Sequence, residues 1–417
     1  MPALDTLMAW RNIWRHPRRT VLTVLAIAFA CLLLVFMLSF QFGSYDTMIN
    51  SSVKISTGHL QVQAAGYHEN PRMRLVVEDP AAVGSILQKE PHLQAYTFRC
   101  RGFALASSAR RTYGVLVMGI DPEGEVRVST LRQNVRQGRY LAASDADAQL
   151  AGALVGRLLA RNLKLSIGDE LTLLGQGRDG SIAAAVVKVR GIFASGIEEF
   201  DRSTLQIPLA AFQRIFSMGK SVHTVVAVAD HLSAVPAIQR KTQMALAGLR
   251  NRPPLVVLDW ADLMPGLRQA IQMDLISGAI FYFILVLVVA FSILNTFLMA
   301  VFERTHEFGV MMALGVRPNR LARLVLTESA GLTLLGVATG VLSGCLLTCF
   351  FQEHGIDMSG ASQILEQFGI SGRIYPRLSW LSAALGPTLV FAVTVLAALY
   401  PALKIRRLKP VEAINAT

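Results

Sequence analysis

The sequence has no phosphate-binding loop, no nucleophile elbow, no CxxC pair and no histidines at metal-ligand spacing. Gly219-Lys220-Ser221 ends like a phosphate loop, but Arg214 stands where that loop needs its first glycine. His306-Glu307 opens like a zinc-protease helix and lacks the second histidine. The chain is therefore expected to be no enzyme and to bind no metal or cofactor of its own.

Charge is scarce too. Only 16% of the 417 residues are charged and 53% are hydrophobic. That is too apolar for an ordinary soluble chain and too polar for one made only of membrane spans. The formal net charge of +12 is unevenly placed. Segments 1–19, 303–323 and 401–417 hold twelve Lys/Arg and four acids, a net +8, and each abuts an apolar run. That is the positive-inside pattern and not a nucleic-acid stripe, so nucleic acid is excluded as a partner. The four cysteines give no disulfide framework: Cys31, Cys345 and Cys349 lie in apolar runs, and Cys100 reads as a small buried hydrophobe.

What is present is long apolar sequence. Residues 20–42, 271–302, 321–351 and 380–400 are each long enough, at about 1.5 Å per residue, to cross about 30 Å of hydrocarbon. Residues 1–19 read as a cytoplasmic amphipathic helix with Leu7, Trp10 and Trp14 on one face and Arg11, Arg15 and Arg18 on another. Such a segment either lies on anionic lipid or simply orients the first span. Residues 43–270 form a polar domain with strand-like runs at 59–63, 112–120, 170–174 and 184–193. Helices are expected at 80–88 and 152–163, and turns at 121–125 and 175–181. The fold class is an α+β integral membrane protein, with one span before and three after a large mixed domain of two subdomains. Both termini and the connector 303–320 are placed in the cytoplasm, and the 43–270 domain and the 352–379 loop outside.

Three features inside the membrane part stand out. Gly336, Gly340 and Gly344 make a small-residue face for close helix packing, within one chain or between two. Asn295 is expected to face another helix and not lipid. Glu328, about two turns into the third span, either reaches the interface or pairs with an arginine such as Arg323. At the end of the second span, Glu303 and Glu307 should share one face of a short charged helix. Phe308, Met311 and Met312 lie on its other faces, and Gly315 stops it. That helix is either a plain connector or a handle for another protein.

One-plus-three spans around a large external domain, with ERTHEFGVMMALG ending span two, resembles the MacB/FtsX-like ABC transporter permeases. The start LMAWRNIWRHPRRTVLTVLAIA, Glu328 and the closing YPALKIRRLKPVEAI carry the same resemblance. TGHLQVQAAGY at 57–67 and GIFASGIEEFD at 191–201 are similar to the lipoprotein-releasing (LolC/LolE-type) branch. The resemblance implies a MacB-like periplasmic domain and a bacterial inner-membrane location. It implies two paired permease chains, as a homodimer or a LolC/LolE-like heterodimer. A separate dimer of ABC ATPase subunits would carry the ATP and Mg. It further implies that Glu303, Arg304, Glu307, Phe308, Gly309, Met311, Met312 and Gly315 form the ATPase contact. The basic residues Lys404, Arg406 and Arg407 would meet either that ATPase or membrane lipid. Lipoprotein release with a lipoprotein, chaperone or adaptor as periplasmic partner is the implied function. Export of a small molecule or peptide, or signal transmission to a periplasmic partner, are the alternatives.

Overall fold

The structure, a computed structural model, describes residues 11–12, 14–15, 17–357 and 373–406. The expectations for Leu7, Trp10 and Arg407 lie outside these residues. Two units are described separately: of the described residues, one holds those up to Tyr45, Ala270–Asp357 and those from Arg373 on, and the other holds Asp46–Gln269.

Among the described residues, four helices are long and apolar enough to cross a membrane. The first, α1, covers Pro17–Ile55; its 39 residues far exceed a span. Residues 43–55, expected to open the polar domain, continue the helix because nothing in SYDTMINSSVKI breaks it. The second long helix covers Pro265–Glu303, the third Pro318–His354 and the fourth Trp380–Ile405. The fourth runs through Pro401, which the sequence reading placed just beyond its end.

In the membrane unit, α1 is the element the others pack on. Gly336 and Gly340 lie so close to it that an added Cβ would come within 2.6 Å of Ile27 and 2.5 Å of the Ala28 carbonyl. Gly344 meets Val35 in the same way at 3.1 Å. The glycine face thus packs within one chain. Gly386 of the fourth helix sits against Leu34, and Ser39 shares a buried hydrogen bond of 2.9 Å with Ser382.

The second unit is built on ten strands. They are β1 (Leu60–Ala64), β2 (Leu93–Ser107), β3 (Thr112–Ile120), β4 (Val135–Gly138) and β5 (Ala151–Gly156). The rest are β6 (Glu170–Gln176), β7 (Ile182–Phe193), β8 (Thr204–Pro208), β9 (Thr224–Ala229) and β10 (Leu255–Asp259). Their order is β10-β1-β9-β2-β3-β8-β5-β7-β4, and β6 bridges β7 back to β2. Six strands therefore close into a ring, β2-β3-β8-β5-β7-β6. Its inward positions carry small or branched side chains, among them Ala104, Ala106, Val117, Ala153, Val155, Ala183 and Val187. A narrow ring can be filled only by such residues. β2 is long enough to serve twice: Leu93–Arg99 pairs with β9 in an open sheet, and Arg99–Ser107 pairs with β3 in the ring. The open sheet and the ring thus share one strand.

Two local expectations change. Residues 152–163 are not one helix: 151–156 form β5, and only Arg157–Leu163 is helical, α2. Pairing with β7 and β8 buries nearly the whole AGALVG run and overrides its helix propensity. Residues 121–125 open a helix, α3 (Pro122–Val128), and do not form a free turn. Asp121 accepts from the Gly124 N–H at 3.2 Å and Pro122 occupies the first turn, a strong helix start.

Candidate functional site

The apolar run of the second span, here named α4 (Pro265–Glu303), ends at Glu303. Arg304 breaks the helix with φ −102 and ψ 9, and the short helix α5 follows at Thr305–Ala313. Glu303 and Glu307 therefore sit on two helices instead of sharing one. The turn is held from both sides. Thr305 Oγ1 donates to the Val301 carbonyl at 3.0 Å, and the Phe308 N–H donates to the Arg304 carbonyl at 3.0 Å.

Arg304 is turned inward by this break. Its Nη1 donates to both Glu328 oxygens, at 3.0 and 3.3 Å. Its Nε reaches Glu307 at 3.4 Å, and its guanidinium lies 5.4 Å from the centre of the Phe308 ring. The Arg304 and Glu328 side chains are only 16% and 18% exposed. Glu328 is thus satisfied by Arg304 and not by Arg323. The two N-terminal arginines complete a chain of charges: Arg19 meets Glu303 at 2.9 Å and Arg15 meets Glu307 at 3.2 Å. Arg19 also donates to the Thr296 carbonyl. The exposed pair Arg15–Glu307 adds at most about 1 kcal/mol, whereas the Arg304–Glu328 pair is shielded enough to matter more.

The inward face of α5 carries three of the residues that the resemblance assigns to the ATPase contact. Phe308, Gly309 and Met312 are buried, packed with Val301, Leu321, Val325 and Ile405, and Met311 is half-buried. Exposed instead are His306, Val310, Ala313 and Leu314, spaced to form one helix ridge; Leu314 is 80% exposed. That i, i+4, i+7, i+8 spacing could have been read from the sequence. Gly315 does end the helix, with φ +93 and its N–H bonded to the Met312 carbonyl. Nearby, Lys404 lies 4.3 Å from the Phe302 ring centre, and Arg406, Arg11, Arg15 and Arg18 are exposed.

Within the single chain Asn295 meets none of the other spans. It is exposed on α4, because the helix buries Ile293 and Phe297 on the opposite side.

Among known proteins, residues 20–244 match the MacB-like periplasmic core domain and residues 279–410 match the FtsX-like permease C-terminal region. The lipoprotein-releasing system transmembrane protein LolC of Xylella fastidiosa is 22% identical over 409 residues, covering 94% of this chain and 92% of that protein. The pyoverdine export ATP-binding/permease protein PvdT of Pseudomonas aeruginosa is 26% identical over 416 residues. That match covers 97% of this chain, which spans only 58% of the length of that relative. The periplasmic region of MacB from Actinobacillus actinomycetemcomitans aligns with 52% of this chain at 14% identity and a TM-score of 0.38. The domain match alone takes in more than half of the chain, and the permease match takes in the three spans that follow it: the chain belongs to the MacB/FtsX-like family of ABC transporter permeases.

Proposed function

We propose that this chain is the membrane subunit of an ABC transporter that releases lipidated substrates from the inner membrane, driven by a separate ATPase. The observation that carries this reading is the match to LolC, which runs through both proteins nearly end to end. The fragments at 57–67 and 191–201 support the same branch. In this reading the basic ends of the spans face the cytoplasm and the strand-rich domain is periplasmic, as the distribution of Lys and Arg favours.

The ATPase would meet the ridge His306–Val310–Ala313–Leu314. Glu303 and Glu307 anchor that ridge through Arg19, Arg15 and Arg304. The buried Phe308, Gly309 and Met312 seat it against the spans. A docked partner would press on α5, and the Arg304–Glu328 pair would pass that load to the third span. ATP and Mg would sit on the ATPase alone.

Pyoverdine-type export is the second reading, favoured by the 26% identity to PvdT over 97% of this chain. A mild-detergent pull-down of the tagged chain from native membranes tests both. The expected result is a co-purifying ABC ATPase, lost in Leu314→Glu but kept in Ile182→Glu, whose parent side chain is 80% exposed on the strand-rich domain. A lipoprotein in the same sample supports release, and a small exported molecule with no lipoprotein supports the second reading. Absence of any ATPase from an intact membrane complex would overturn both.

A further inference from the structure

A cleft of about 440 Å³ opens in the strand-rich domain beside the point where β2 passes from the open sheet into the ring. Its size lies in the range of small-molecule sites. Two of its polar groups have no partner among the described residues. The Tyr67 side chain is 4% exposed, yet its hydroxyl makes no hydrogen bond. The Arg101 Nε is sealed from solvent and also lacks an acceptor among the described residues, although the residue as a whole is half-buried.

Arg101 also lacks a carboxylate. Its neighbour Arg99 takes both oxygens of Glu125, at 2.6 and 2.9 Å, with both side chains 1% exposed, so that pair is self-neutralising. Arg101 Nη2 has only the Ser56 carbonyl, at 3.2 Å. Burial pushes the Arg101 pKa down and Arg99 adds to the shift, with Tyr67 and Glu125 opposing it only in part. Around the cleft the other charged lining residue is Arg72, and no Asp or Glu lines it among the described residues.

The geometry also fixes the cleft in place. The Arg101 N–H donates to His223 Nδ1 at 3.1 Å, and the His223 ring stacks on Tyr67 with centroids 5.1 Å apart. Tyr67 and Arg101 are therefore held by one imidazole. Met73, Phe103 and Leu116 supply an apolar wall next to them.

We propose that this cleft binds an oxyanion, a carboxylate or phosphate carried on an apolar body, with Tyr67 and Arg101 donating to its oxygens. A half-buried cation with its Nε sealed from water and an unpaired buried hydroxyl are each costly alone, and one anionic group satisfies both. The site is independent of which substrate the transporter handles. Free anions and lipid headgroups share this chemistry.

Calorimetric titration of the full chain in neutral detergent tests the proposal with two probes. One is inorganic phosphate; the other is dihexanoylphosphatidylglycerol below its critical micelle concentration. Saturable binding of one equivalent is expected, weakened at least about tenfold by Arg101→Gln and about two- to tenfold by Tyr67→Phe. Tighter binding of the lipid than of phosphate would assign the site to a headgroup, and equal binding to a free anion. Tyr67→Phe guards against loss of fold, since removing an unpaired buried hydroxyl should leave the thermal midpoint of the unliganded chain unchanged or raised. No binding of either probe, or unaltered binding of both by Tyr67→Phe, would overturn the proposal.

Discussion

At the scale of single residues, buried ionisable groups decide how the protein responds to pH and substitution. His59 and His223 are 1% and 0% exposed, and burial pushes both pKa values down to about 4. An unfolded histidine takes its proton near 6.5. The folded chain thus holds fewer protons than the unfolded chain between these values, so stability is full above about pH 6.5 and falls as pH drops towards 4. Each ring contributes about 3 kcal/mol to that loss. Denaturant midpoints of the full chain from pH 7.5 to 4.5 should fall steeply, and His223→Gln should flatten the slope. A flat wild-type profile would show that these rings are accessible to protons when folded. Glu328 offers a second test. The sequence presented Arg323 as partner, but five residues along a helix turn a side chain about 140° away, onto another face. The true partner, Arg304, becomes available only because the helix breaks there. Glu328→Leu is expected to cost about 3 kcal/mol by stranding Arg304, and Arg304→Met added to it should recover most of that loss in thermal midpoint.

At the scale of elements, periodicity made much of the structure legible, and tertiary pairing hid the rest. The four long helices, the strands at 112–120 and 184–193 and the stop at Gly315 follow from apolar runs and glycine placement. β2 gave no such signal, because Arg99, Arg101 and Gly102 interrupt its pattern; Arg99 finds Glu125 and Arg101 the Ser56 carbonyl only in the assembled sheet. The burial of one face of α5 is hidden in the sequence for a related reason. Phe308 and Met312 look like a docking surface in isolation, but Ile405, more than ninety residues further along, arrives to bury them. The glycine face was legible as a packing surface, while its partner was not. Gly340→Ala adds one methyl against the Ala28 carbonyl and should lower stability by about 1–3 kcal/mol. Leu342→Ala, on the 65% exposed side of the same helix, should change it little. Equal effects in a detergent stability assay would mean that α1 is not the partner of this face.

At the scale of the whole molecule, one surface of the membrane unit stays without a partner in the single chain. Phe281, Ile284, Val288, Phe291, Asn295 and Met299 recur at steps of three and four along α4, and all are exposed. That is the spacing of a helix-packing seam. Apolar residues there are content in lipid, so they decide nothing. Asn295 does decide, because a bare amide in hydrocarbon is costly and an amide between helices is not. In the paired-permease reading this seam lies against α4 of a second chain, with Asn295 bonded across the contact. A cysteine at 295, in a chain with Cys345 and Cys349 replaced by serine, is then expected to form a cross-linked dimer in native membranes under mild oxidation. A cysteine at Leu342, on a different helix face, should not. Asn295→Leu should weaken the association by about 0.5–2 kcal/mol without altering the fold of the single chain. Monomer from both cysteine variants would place the second chain elsewhere and leave Asn295 facing lipid.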